Sequence, residues 1–427
     1  MKIKGLRWYI AFLLCLASAL NYLDRQTLSV LIGTIKEELH LTNASYGTIN
    51  AWFLVSYGVM YAVSGRIVDY IGTRRGFIFF VSGWSIANML HVLAASVGQF
   101  SFFRFLLGIF EPGSFTGGVK AVGEWFPMRD RALAIGIFNA GTALGSVAAA
   151  PIVSVIAMHW GWKAAFFTTG ALGFVWLVPW ILFFKQPASH PLLSDEERGI
   201  ILGGNSDKPG KTLPPRLGQL LRMRETWGCI LVRAFTDPIS YFLLFWIPIY
   251  FQKQYHFDLQ KIGMFLWIPY AAAALGNLCG GIIPRILIGR GWDLDRARKG
   301  TMTLMTAMLL VCLYSVTRAG NPNVALCLVA CMTFCHGGWS NITLPAEVFP
   351  QNAIATVTGL GGALGSWMGA LAMLTTGRVV DAYGFTPVFI ACAVLYPTAL
   401  LTVYRLIGKL GVVRIIPAGS ADPNPAA

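Results

Sequence analysis

Twelve apolar stretches, each able to cross a bilayer as a helix, limit what this chain can fold into. They lie near residues 8–33, 47–68, 76–96, 99–122, 131–157 and 163–184, then 227–251, 261–287, 300–318, 323–346, 353–376 and 385–408. About 20 apolar residues in helical form cover the hydrocarbon core, where no water can satisfy a bare peptide group. The expected fold class is therefore an all-α membrane protein. Composition agrees: 56% of the 427 residues are hydrophobic and 12% are charged, whereas a soluble domain carries about 25% charge.

A net charge of +14 would suit a nucleic-acid binder only if the cations formed a patch. They do not. Of the 33 Lys and Arg, 23 fall at the N-terminus, in the loops after spans 2, 4, 6 and 8, and in the tail. Six occupy the opposite loops, and four (Arg25, Arg104, Lys120, Arg233) lie within spans. This alternation predicts that both termini are cytoplasmic and removes nucleic acid as a partner. The first span follows Lys2, Lys4 and Arg7 and passes Ala17-Ser18-Ala19, as a secretory signal would. Its apolar run continues to Leu31, so it reads as an uncleaved first helix. Three of the eight cysteines, Cys327, Cys331 and Cys335, recur every four residues along one span. A dry bilayer disfavours thiolates, so they read as packing residues and no metal site is expected.

The halves repeat. Glu124-Trp125-Phe126-Pro127 recurs as Glu347-Val348-Phe349-Pro350, an offset of 223. Gly136 matches Gly359 at that offset, and Gly141-Thr142-Ala143-Leu144-Gly145-Ser146 matches Gly361-Gly362-Ala363-Leu364-Gly365-Ser366 three residues out of step. Gly161 and Phe166 then match Gly384 and Phe389. The chain divides into a six-helix bundle over 1–184, a polar cytoplasmic linker over 185–226, a second six-helix bundle over 227–410 and a disordered tail over 411–427. Within the linker, Ser194 ahead of Asp195-Glu196-Glu197 predicts an N-capped helix start. Such pseudo-symmetric halves build transporters that rock around a midplane site.

The loop after the second span, Gly65-Arg66-Ile67-Val68-Asp69-Tyr70-Ile71-Gly72-Thr73-Arg74-Arg75, resembles the signature of the major facilitator superfamily. The resemblance implies a cytoplasmic gate formed by Gly65, Asp69, Gly72, Arg74 and Arg75. Asn21-Tyr22-Leu23-Asp24-Arg25, Arg104 with Glu111, and Lys120-Ala121-Val122-Gly123-Glu124-Trp125-Phe126-Pro127 are similar to the anion:cation symporter family. Lys2-Ile3-Lys4-Gly5-Leu6-Arg7-Trp8-Tyr9 and Cys335-His336-Gly337-Gly338 resemble its bacterial hexuronate (glucuronate and galacturonate) transporters. Not all of those carry an acid at Asp24, whereas aldonate transporters do, so galactonate-type substrates stay open. Export or antiport of another organic anion is a further alternative.

Ionisable groups inside a span are costly and face a cavity or a partner. Arg104 and Glu111 share a helix face about 10 Å apart along the axis, too far for a direct pair in a straight helix. Each is expected to meet a partner on another helix, with Asp24 and Arg25 as candidates. Arg233 and Asp237, one turn apart, could form a similar cluster in the second half. An anionic sugar acid needs a cation that stays charged and offers two donors, which is what guanidinium supplies. Release needs a group that changes charge. Asp24 and Glu111 are the candidates, with the proton as coupling ion, and the family resemblance implies the same role. Protonation would free an arginine for the substrate carboxylate, and deprotonation would restore the internal pair.

Sugar hydroxyls need further partners. Tyr57 and Tyr61 lie one turn apart, and Tyr22 precedes Asp24; resemblance to the aldonate transporters implies that Tyr22 and Tyr57 touch substrate. Asn139, Thr142, His336, Trp339 and Asn341 are further candidates, with interhelical hydrogen bonding as the competing role. Lys120 is expected to snorkel to the cytoplasmic interface. Gly361, Gly365 and Gly369, like Gly276 and Gly280, read as close-packing seams. No G-x-S-x-G or H-E-x-x-H motif occurs and the six histidines are scattered, so neither an enzyme nor a bound cofactor is expected. The partners expected are a small sugar acid and the lipid of a bacterial inner membrane, around a monomer.

Overall fold

A computed structural model describes residues 2–203, 215–339 and 343–413. Among them the chain is helical, with a single isolated bridge between Ile3 and Leu193. The first three spans are α1 (Leu6–Leu39), α2 (Asn43–Ile71) and α3 (Thr73–Leu90). The fourth divides into α4 (Val97–Phe110) and α5 (Pro112–Trp125). Pro112 has no N–H to give and so interrupts the ladder just after Glu111. The fifth and sixth spans run together as α6 (Met128–Phe183), which turns at Gly161 with φ 82°, an angle that only glycine adopts without strain.

Two short helices, α7 (Asp195–Gly203) and α8 (Leu217–Leu220), occupy the linker. The second half contains α9 (Arg224–Phe245), α10 (Ile247–Tyr255), α11 (Leu259–Phe265), α12 (Trp267–Gly289) and α13 (Leu294–Val316). It closes with α14 (Pro322–Trp339), α15 (Leu344–Val348), α16 (Gln351–Tyr383) and α17 (Thr386–Thr402). The pairs α9–α10, α11–α12 and α14–α15 are each one expected span. Ten helical stretches among the described residues are long and apolar enough to cross a membrane. The other two crossings are hidden by geometry: α6 carries two, and Pro112 cuts the fourth into pieces too short to qualify.

Within the first half, α1 packs on α6, α2 on α4, and α3 on α6; within the second, α12 packs on α14, and α9 on α16. The halves meet where α2 runs beside α16, and where α6 meets α11 and α12. The backbones touch there because Gly47 leaves no side chain between α2 and the Met373 carbonyl.

An even number of crossings returns both chain ends to one side of the bundle. There α1 starts at Gly5, which offers no side chain as a cap. Glu197 of α7 supplies it, accepting from the Leu6 and Arg7 N–H groups at 3.1 Å each. Ser194 caps α7 as its sequence predicts, its Oγ accepting from Glu197 N at 3.2 Å. Lys2 pairs with Asp195, and Ile3 N donates to Leu192 O at 2.9 Å. The linker thus clamps the start of the chain. At the far end, Val413 N donates to Val348 O at 2.8 Å; of the segment expected to be disordered, 414–427 lie outside the described residues.

Candidate functional site

Arg25 projects from α1 into a buried cluster of first-half side chains. Its Nη2 lies 2.6 Å and its Nε 2.8 Å from Glu111 Oε2, and both side chains are buried. Glu111 sits at the joint between α4 and α5. Its second oxygen, Oε1, has no hydrogen-bond partner. The Arg25 guanidinium also lies 4.5 Å from the Tyr22 ring, 4.8 Å from Tyr57 and 5.4 Å from Phe53. Such faces hold a cation without neutralising it.

Arg104 does not complete the expected carboxylate contact. Its Nη1 donates to the Arg25 carbonyl at 3.1 Å, while Nε and Nη2 have no hydrogen-bond partner in a fully buried site. Asp24 also departs from the expectation that it meets an arginine. Neighbours on a helix point about 100° apart, so Arg25 points to Glu111 and the Tyr22, Phe53 and Tyr57 rings while Asp24 turns toward α3 and α6. There Asn88 of α3 donates to Asp24 Oδ1 at 2.7 Å and to Thr169 Oγ1 at 2.8 Å. Asp24 Oδ2 has no hydrogen-bond partner. Asn88 and Thr169 were not singled out from the sequence. The signal was there, in Ser85, Asn88 and His91 spaced three apart through an apolar span.

In the second half Arg233 and Asp237 pair within α9, with Nη2 2.8 Å from Oδ2. Tyr61 of the first half lies 5.8 Å from that guanidinium and 6.0 Å from the Tyr57 ring. Tyr241, one turn beyond Asp237, donates to or accepts from Ser366 Oγ at 3.2 Å. Two ion pairs, one from each half, are therefore joined through Tyr57 and Tyr61.

The remaining candidates lie apart from these pairs. Thr142 is half-buried and donates to the carbonyl of exposed Asn139 at 2.8 Å. His336 binds the Tyr396 hydroxyl through Nδ1 and Ser240 Oγ through Nε2 at 2.6 Å, so it ties α9, α14 and α17 together. Trp339 is buried and donates to Thr306 Oγ1 at 2.9 Å, which fixes α14 on α13. Asn341 lies outside the described residues. Lys120, expected to snorkel, reaches the exposed Asp69 carboxylate, with Nζ 2.9 Å from Oδ1, and donates to Val68 O at 3.0 Å. Asp69 thus meets a lysine of its own half. Arg74 donates to Ile181 O at 2.6 Å, Arg75 is exposed, Gly65 is half-buried, and Gly72 turns α2 into α3 at φ 83°.

At the end bearing the termini, Asp69–Lys120, Arg298–Glu347 and Asp295–Lys299 each pair within one half. The opposite end is sealed between halves. Asp381 of α16 accepts from Asn43 Nδ2 at 2.7 Å and Ala44 N at 2.8 Å. Ser29 and Tyr46 each donate to Phe245 O at 2.8 Å. The central pairs lie between this closed end and the other.

The chain is 34% identical over 433 aligned residues to the "Hexuronate transporter" of Escherichia coli (strain K12), covering 99% of each. To the "Galacturonate transporter" of Dickeya chrysanthemi it is 36% identical over 287 residues, covering 67% of this chain and 83% of that protein. The fold matches a crystal structure of a D-xylose–proton symporter with a TM-score of 0.73, at 14% identity, over 94% of this chain and 98% of the other. The family model for the Major Facilitator Superfamily matches residues 14–373, and with twelve helical crossings in two halves the chain belongs to that family.

Proposed function

We propose that this protein is a proton-coupled symporter that imports a hexuronate, glucuronate or galacturonate, across a bacterial inner membrane by alternating access. The observation that carries the reading is the Arg25–Glu111 pair. A guanidinium fixed among aromatic faces, with a long contact to Asn21 Oδ1 at 3.4 Å, has its charge answered by a carboxylate that a proton can silence. Once Glu111 is protonated it keeps its place but loses its charge, and the two Arg25 donors are released to a substrate carboxylate in bidentate geometry. Loss of the proton re-forms the internal pair and displaces the anion. Asp24 takes its proton inside the first half, where Asn88 and Thr169 orient the carboxyl. Tyr22, Tyr57 and Tyr61 offer rings and hydroxyls to the sugar.

The central region holds three arginines (Arg25, Arg104, Arg233) and three carboxyls (Asp24, Glu111, Asp237). The proton on Glu111 therefore offsets the carboxylate bound at Arg25, so that exchange adds no net charge in a medium that punishes it. The positive-inside distribution sets both termini in the cytoplasm. On that orientation, the conformation sealed at Asp381 opens toward the cytoplasm, where cargo is delivered.

Uptake into proteoliposomes tests the reading. An inward proton gradient should drive accumulation of galacturonate, and Glu111→Gln or Asp24→Asn should abolish accumulation while the protein stays folded. Undiminished accumulation by either variant would sink that residue's proton role. Accumulation of galactonate in preference to both hexuronates would move the substrate to the aldonates.

A further inference from the structure

The Arg233–Asp237 pair takes no part in the proton step above, yet it is built with care. Both side chains are about nine-tenths buried, and two guanidinium nitrogens converge on Asp237 Oδ2 at 2.8 and 2.9 Å. The α16 helix leaves a slot for the pair. A Cβ on Gly365 would collide with the Asp237 carboxylate, and one on Gly362 would lie 2.9 Å from Arg233 Nη1 and 2.7 Å from the Tyr61 ring. Gly361 and Gly365, which read in sequence as part of a helix-packing seam, thus lie against Arg233 and Asp237. Packing alone gives no reason for them, because apolar residues of similar volume fill such a slot without desolvating two ions.

The pair also faces the substrate region. Tyr61, which touches Arg233, reaches it from the other half and stands beside Tyr57, the ring that holds Arg25. Tyr241 lies within electrostatic reach of Arg25, Arg233 and Asp237 together. A sugar acid held by Arg25 at its carboxylate would therefore extend its other end toward Arg233 and Asp237. A sugar diacid would bring its second carboxylate there.

We infer that Asp237 is a specificity-determining residue: by occupying Arg233 it restricts the site to sugar acids with a single carboxylate. This rests on the transport reading above. With Asp237 charged, Arg233 has no free positive charge for a second carboxylate, and the two acids repel at close range. A hydroxyl at the same place can donate to Asp237 and is accepted. Like charges brought together in a desolvated site repel strongly enough to reject a wrong partner. Removing the Asp237 charge alone would expose Arg233 and turn the second half into an anion subsite.

Galacturonate and galactarate form the test pair, since they share the configuration at C2 to C5 while C1 is the hemiacetal carbon of a ring in the first and a carboxylate in the second, open-chain acid. Competition by galactarate against galacturonate uptake is measured in proteoliposomes, with thermal stabilisation of the purified protein by each acid as an independent binding readout. Wild type should favour galacturonate. Asp237→Asn should strengthen galactarate relative to galacturonate by about tenfold or more, and the double variant Arg233→Gln/Asp237→Asn should lose that gain. Should Asp237→Asn fail to fold, Gly365→Ala displaces the carboxylate without deleting it and should shift the ratio the same way. An unchanged ratio in a folded single variant, or a gain that persists in the double variant, would overturn the inference. If wild type takes galacturonate and only the ratio fails to respond, the transport reading survives. If wild type takes up neither acid, both fall.

Discussion

Arg25 meets Glu111 through two nitrogens on one oxygen, at 2.6 and 2.8 Å, and lies against three aromatic rings. That arrangement needs a flat cation with donors in a fixed fork; an ammonium offers a point charge and cannot stack. Arg25→Lys should therefore keep its charge and fold yet raise the KM for galacturonate by about tenfold or more, since a charged bidentate contact is worth about 1.5–3 kcal/mol. Initial uptake rates across substrate concentration check this, and an unchanged KM would remove Arg25 from the substrate contact. The sequence named both members of this pair, because ionisable residues in an apolar span stand out. It did not reveal that Asp24 faces away from Arg25 toward Asn88. A helix turns about 100° per residue, and which of two adjacent directions meets Glu111 depends on neighbours the sequence does not order.

At the scale of elements, caps and breaks come from single residues. Gly161 and its repeat partner Gly384 each turn the chain between two spans at positive φ, whereas Pro112 has no counterpart, because Cys335 stands at the offset of 223 inside α14. The cap of α1 has no such local signal. Its acceptor, Glu197, lies 191 residues from Leu6 and belongs to the linker. Two N–H groups, one buried and one part-buried, converge on that carboxylate, so Glu197→Ala should cost about 1–2 kcal/mol. The melting temperature of the detergent-solubilised protein should fall, with Glu197→Gln restoring part of the loss because an amide oxygen still accepts. An Ala variant as stable as wild type would show that the clamp contributes nothing to stability.

Across the whole molecule, the distribution of contacts between halves defines the conformation. Asp381 of the second half accepts two hydrogen bonds from the start of α2 in the first, and Lys36 donates to Asn43 at 2.6 Å beside it. This is a helix cap that crosses between halves, and it exists only while that end is closed. Asp381→Ala should shift the population toward conformers open at that end by about tenfold or more, given about 1.5–3 kcal/mol for hydrogen bonds to a charged acceptor. Faster labelling of a Ser29→Cys variant by a membrane-impermeant thiol reagent would report the shift, since Ser29 is buried against Phe245 O at the closed end. Labelling at the wild-type rate would mean that Asp381 does not hold the closed state.

The sequence by itself determined the solvent, the number of crossings, the two related halves and the identity of the charges that lipid would not tolerate unpaired. Each follows from a local or periodic property: apolar length, positive loops, an offset of 223, an arginine within a span. Tertiary structure alone decided who pairs with whom. Glu111 met Arg25, Arg104 met a backbone carbonyl, Asp69 met Lys120, and Gly361 and Gly365 of α16 proved to lie against Arg233 and Asp237. The physical reason is that hydropathy is additive along a chain, whereas pairing depends on helix rotation and on which end of the bundle is closed. Those are properties of packed helices, set by contacts hundreds of residues apart.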